Sequence, residues 1–235
     1  LATESTPASG ATQNDLLQAT SFADWAAVAA WGNTLFSQAT APQGEAYRQR
    51  LAELRAIDGD AERAAAALHW VQREIRYVGM LFGEGSHRPH APDETLALHY
   101  GDCKAVSLLL VRLLRDLGLE AQVALVLTTN GRLPSRLEAE PMLFNHAVAV
   151  VWVDGRLHVL DGTLRGQVSR LEHLGSPHGG DDLLVLGGPH AGFVRAPDTG
   201  SLDDRTMRVT EKMTVQGDGS GVLNQTMIYR GTLAE

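Results

Sequence analysis

The stretch NHAVAVVWVDGRLHVLDGT, residues 145–163, constrains the fold more than any other part of the chain. Two β-rich runs flank Asp154-Gly155, a dipeptide that favours the two-residue turn whose twist matches antiparallel strands. With that turn, Val153 faces Arg156, His146 stands opposite Thr163, and Val148 stands opposite Asp161. Side chains alternate along a strand, so His146 and Asp161 share one face as diagonal neighbours, roughly 7–8 Å apart at the backbone and within side-chain reach. His158 falls on the other face. A bulge or a longer turn would reverse this parity.

A second stretch, YGDCKAVSLLLVRLL at 100–114, places the only cysteine of 235 residues at the start of an apolar helix, 103–117, that Gly118 stops. Free N–H groups and the positive end of the helix dipole favour a thiolate there, and such surroundings activate cysteines. Asp102 is the expected N-cap, although its own charge opposes the thiolate. A lone cysteine equally serves as a small buried hydrophobe. A nucleophilic thiol needs a base, and the base needs an orienting group. Cys103, His146 and Asp161 offer the three parts of a papain-type site in chain order; the competing reading of His146 is a structural histidine at the hairpin's open end.

Elsewhere the pattern is helical first and β-rich later. Residues 1–20 are small and polar and read as a linker. Helices are expected from Ser21 as N-cap, over GEAYRQRLAELRAI, and from Asp60. Residues 79–102 read as a long ordered loop, AQVALVLTT as a buried strand, and 165–200 as irregular apart from one short strand at LLVLG. Thus 21–200 would form one domain, and the alternating tail 203–235 the start of an incomplete β-rich one.

Charge and composition narrow the partners. A net charge of −8 without a Lys/Arg block argues against nucleic acid. No apolar run approaches the roughly 18–20 residues of a membrane helix, and one cysteine excludes an internal disulfide. Starting at Leu, the chain reads as an excised piece. Nine histidines raise a metal hypothesis, with Cys103, His146, His158 and Asp161 as a zinc set; parity turns His158 away, so neither a metal nor a cofactor is expected. HRPH at 87–90 and HLGSPHGGDD at 173–182 read as solvated loops. Trp25, Trp31 and Trp70 read as core residues, and Trp70 or Tyr77 could line a cleft.

HWVQREIRYVG, GDCK, LLLVRLLRDLGLEAQVALV, FNHAVAVVWVDG and HVLDGT together resemble the transglutaminase-like superfamily, over about residues 60–165. In particular they resemble bacterial members whose core lies between two β-rich domains. The resemblance implies a papain-like α+β core, a Cys-bearing helix packed on an antiparallel sheet bearing His and Asp. It also implies a location in the periplasm or cell envelope. Carried over, Cys103 would be the nucleophile, His146 the base and Asp161 the residue that orients the imidazole. Many relatives continue GDCK with an acidic and a basic residue, where this chain has Ala105 and Val106, so altered packing or substrate contacts are expected. The reading is thiol-dependent acyl chemistry on a peptide or protein substrate, hydrolytic first. Acyl transfer to an amine and a non-catalytic binding module on the same fold are the alternatives.

Overall fold

The computed structural model describes residues 17–37, 42, 44–79, 86–129, 137–198 and 206–230. The central sheet grows out of the hairpin. Asp154 and Gly155 both take positive φ, 50° and 72°, as the two-residue turn requires. Strands β4 (His146–Val153) and β5 (Arg156–Leu160) pair from Val153↔Arg156 to Ala149↔Leu160, the register that the turn dictates. Three more antiparallel strands complete it: β3 (Glu120–Val126), β6 (Asp182–Val185) and β7 (Gly192–Arg195), in the order β5-β4-β3-β6-β7.

Helix α5 (Cys103–Asp116) lies across β3 and β4 and packs against α3 (Asp60–Glu74) and α4 (Pro92–Leu98). Its run of Val and Leu is buried almost throughout. Ala64, Ala65 and Ala67 let α3 approach closely, and Ala147, Ala149 and Val151 supply the sheet side of this core. A smaller core, with Val148, Val150, Val159, Leu183 and Val185, fills the opposite face. Helices α1 (Trp25–Ser37) and α2 (Glu45–Arg55) complete the helical layer. Mixed helices and an antiparallel sheet make this an α+β fold.

The expectations for the remaining chain are corrected in several places. Asp24, not Ser21, caps α1: its Oδ1 accepts from the Ala27 N–H at 2.8 Å. The expected loop 79–102 contains α4, started by Pro92. It also contains β2 (Tyr100–Gly101), which pairs in parallel with β1 (Arg76–Tyr77). Both elements are too short for periodicity to show. Residues 165–198 hold two strands, β6 and β7, rather than one, since β7 is only four residues long. The tail forms β8 (Thr206–Val215) and β9 (Gly221–Arg230), a sheet of its own. The expected linker falls mostly on residues 1–16, and the expected boundary near 200 falls on 199–205; both lie outside the described residues.

Candidate active site

The site is assembled at the N-terminus of α5. Asp102 is its cap, as expected, with Oδ1 accepting from the Ala105 N–H at 3.0 Å. The other carboxylate oxygen takes an ion pair from Lys104 Nζ, and both side chains are nearly buried. Lys104 therefore offsets the charge that would otherwise oppose a Cys103 thiolate. With Ala105 N–H capped, the N–H groups of Cys103 and Lys104 are the first-turn donors beyond reach of any helical carbonyl. Gly101 is required in the approach: a Cβ there would come within 3.0 Å of Ala105 and 3.2 Å of Thr95. Ala105 and Val106 are both buried, and Val106 lies where a Cβ on Gly162 would meet it at 2.7 Å.

From the sheet, Ser107 Oγ donates to the Ala147 carbonyl at 2.9 Å and so ties α5 to β4 beside His146. By alternation His146 belongs to the face opposite α5, with Val148 and Val150. As the first residue of β4 it stands at the sheet's margin, where its ring meets the start of the helix and makes a side-chain hydrogen bond with Cys103. Its Nε2 lies 2.9 Å from Asp161 Oδ2, which leaves Nδ1 for the sulfur. Asp161 directly follows β5 and is fixed from several sides. Thr163 donates to its Oδ1 from the backbone N–H at 2.9 Å and from Oγ1 at 2.6 Å. Gln72, buried on α3, donates from Nε2 to the Asp161 carbonyl at 2.9 Å. The structure thus brings Cys103, His146 and Asp161 together.

Burial by itself pulls the imidazolium pKa of His146 down. The hydrogen bonds to Asp161 and Cys103, with their negative charges, outweigh it and raise the value from 6.5 to about 10. Burial pushes the Asp161 carboxyl up, but hydrogen bonds from His146, His178 and Thr163 and the charge of His146 hold it well below the usual carboxylate range. Tyr77, on β1 beside Gly101, is raised first by burial and then by the negative charges of Cys103, Asp102 and Asp161. Its phenol is therefore within electrostatic reach of the site. Trp70 instead belongs to the core.

One residue here was expected to be solvated and is not. His178, in the segment HLGSPHGGDD, is 4% exposed. Its Nε2 is 3.2 Å from Asp161 Oδ2 and its Nδ1 3.5 Å from Asp181 Oδ2. The segment is drawn in partly because Gln72 holds Gln167, whose Nε2 donates to the Gly175 carbonyl at 2.7 Å. No local periodicity or spacing signals this. His158 lies opposite Val151, on the other face, so the zinc set containing it is not assembled. His146, Asp161 and His178 do place potential ligand atoms within 4.8 Å of one another. The Asp161 carboxylate already accepts two imidazole N–H and two Thr163 donors, so hydrogen bonds account for the cluster without an ion.

Cys103 and His146 open into one cavity of about 290 Å³. Its walls come from α1, from the segment preceding β4, from Ser86 and His87, and from the start of α5.

No curated protein sequence matches this chain. Among solved structures, a proposed protease of Parabacteroides distasonis ATCC 8503 is similar in fold, with a TM-score of 0.55 and 14% identity over 80% of this chain. The chain spans only 37% of that protein. A proposed cysteine protease of Cytophaga hutchinsonii overlaps less, with a TM-score of 0.37 and 18% identity over 50% of this chain and 36% of that one. Among the described residues no helix is long and apolar enough to cross a membrane. The family model of the transglutaminase-like superfamily matches residues 48–161, from α2 through Asp161. Over that span, just under half of the chain and carrying the Cys-bearing helix and the His- and Asp-bearing hairpin, the chain is similar to the transglutaminase-like superfamily.

Proposed function

We propose that the chain cleaves amide bonds through a covalent thioester. The observation that carries this reading is the chain of contacts from Asp161 Oδ2 through the His146 ring to Cys103, with 2.9 Å between Asp161 and His146. Cys103 Sγ attacks the amide carbonyl carbon, and the developing oxyanion is met by first-turn N–H groups of α5. As the C–N bond breaks, the His146 imidazolium gives its Nδ1 proton to the leaving amine. Water then attacks the thioester; His146 takes a proton from it, the C–S bond breaks, and a carboxylic acid and the thiol result. Asp161 keeps the imidazole in the tautomer that presents Nδ1 to sulfur and supports its charge.

Hydrolysis is preferred to transfer onto an amine because water needs no second binding site. The fold shared with a proposed protease supports the same choice. A non-catalytic binding role is favoured by one observation, that Cys103 is only 5% exposed.

Alkylation by iodoacetamide from pH 4 to 9 separates the readings. Rapid reaction well below pH 8, slowed at least about tenfold in His146→Ala, is the expected result for an activated pair. A slow rate indifferent to His146 would leave the binding role in front. Adding a primary amine to a fluorogenic amide assay then distinguishes free acid from a new amide as product.

A further inference from the structure

The lining of the cavity beside Cys103 is mostly apolar. Its apolar walls are Trp31, Leu35 and Phe36 of α1, Leu125 of β3, and Met142 and Phe144 of the segment entering β4, with Ser86 and His87 beside them. Two of the polar side chains in the lining are already engaged. Lys104 Nζ is paired with Asp102. The Asn145 amide both donates to Thr128 Oγ1 and accepts from the Thr128 N–H, each at 2.9 Å. A charged or amide side chain entering the apolar part would give up its hydration with nothing among these residues to replace it. The walls are held rather than loose. Trp31 meets Phe22 and His87 edge to face, at 5.6 and 5.2 Å between ring centroids. Gly32 sets α1 so close to the sheet that a Cβ there would meet Leu186 at 2.9 Å.

Size decides what such a space can hold. At about 290 Å³ it is at the lower end of ligand pockets, which run from about 300 to 1,000 Å³, enough for one large side chain and adjoining backbone. A thioester mechanism keeps the acyl part in place through both half-reactions, so the pocket that shares its wall with Cys103 serves best as the acyl-side subsite. Resting on the hydrolytic reading above, we propose that the substrate is a peptide-type amide whose acyl residue carries a large apolar side chain, of the phenylalanine, leucine or methionine class, rather than an amide or charged one. The walls from α1 lie outside the segment 48–161 that matches the family model, while Leu125, Met142 and Phe144 lie within it.

Three electrophiles test this on the full chain: iodoacetamide, N-acetyl-phenylalanyl chloromethyl ketone and N-acetyl-asparaginyl chloromethyl ketone. Each rate is normalised to that with glutathione, and the modified residue is located by peptide mapping, with Cys103→Ser as blank. The phenylalanyl ketone should label Cys103 about ten- to two-hundredfold faster than the asparaginyl one. Met142→Glu, at the exposed rim, and Leu35→Ala, in the wall, should each reduce that ratio. Equal rates for the two ketones, with fast reaction of iodoacetamide, would overturn the subsite while leaving the activated thiol intact. Failure of all three reagents would overturn the hydrolytic reading and the subsite together.

Discussion

The hairpins β4–β5 and β8–β9 are written in similar sequence, β-branched and apolar residues on either side of a tight turn, yet β4 is buried along nearly its whole length and every residue of β8 and β9 is exposed. In the tail, Met207, Val209, Met213 and Val215 share one face with Leu223, Met227 and Tyr229, interrupted by Glu211 and Gln225, while Arg208, Thr210, Lys212 and Thr214 share the other with Val222 and Ile228. That is the pattern of a strand pair with one face meant for cover. In β4 the run HAVAVVWV is apolar on both faces, and both are covered: α5 packs on one, and the second core closes the other. Strand alternation thus sets register and faces in both hairpins. Only in the first does tertiary packing turn one end of the hairpin into a place where a buried carboxylate can hold an imidazole against a thiol.

The sharpest way to break this contrast is to disable that end. Asp161→Asn should lower kcat/KM for amide hydrolysis on the order of 10²- to 10⁴-fold, whereas Glu211→Gln on β8 should leave it unchanged; a mutant retaining most of its rate in steady-state assays would remove Asp161 from the mechanism. Packing comes next. Leu160→Ala, at a fully buried position of β5, should cost about 2–5 kcal/mol in urea unfolding. Leu223→Ala, 52% exposed on β9, should stay within about 0.5 kcal/mol. Equal losses would show the tail to be as well supported as the core hairpin.

A smaller effect is expected from His178→Leu, which removes one hydrogen bond to the buried Asp161 carboxylate; about 1.5–3 kcal/mol of stability should be lost. A role confined to packing would leave the pH dependence of Cys103 alkylation untouched, so a shifted profile identifies His178 as a positioning residue. The ion pair also predicts a pH effect. The His146 pKa is raised in the folded state to about 10, so its stabilisation is complete below its unfolded value near 6.5 and fades as pH climbs through 10. That of Asp161, whose pKa is depressed, is present above about 3.9 and fades below it. The difference in Tm between the wild type and His146→Gln should therefore be greatest near pH 5–6 and shrink steadily toward pH 10. A difference that grows with pH would contradict the ion pair.

Much of the site could be read before folding was known, because its parts are tied to local rules. Asp154-Gly155 dictates a two-residue turn and the turn dictates pairing as far as Ala149↔Leu160; the expected pairs Val148–Asp161 and His146–Thr163 lie beyond the ladder, yet Asp161 directly follows it and reaches His146. Asp102 caps a helix whose first residue is Cys103 for reasons confined to four residues. His178 obeyed no such rule. It meets Asp161 because Gln72 on α3 holds Gln167, which in turn holds Gly175 of the same segment, and its own neighbourhood of Gly, Pro and Ser resembles any surface loop. Helix α4 and strand β7 are not legible in the sequence for a different reason: seven and four residues are too few to establish a period.

By itself the amino-acid sequence determined the hairpin register, the cap and start of α5, and the order Cys, His, Asp, since each follows from backbone geometry over a few residues. Tertiary structure alone decided which sheet face α5 covers and that His146, assigned by alternation to the other face, still reaches Cys103 from the strand's end. It also decided that Lys104 neutralises Asp102, that His178 joins Asp161, and that α1 walls the cavity. These depend on elements distant in the chain meeting in space, and no local pattern of residues encodes which surfaces will be pressed together.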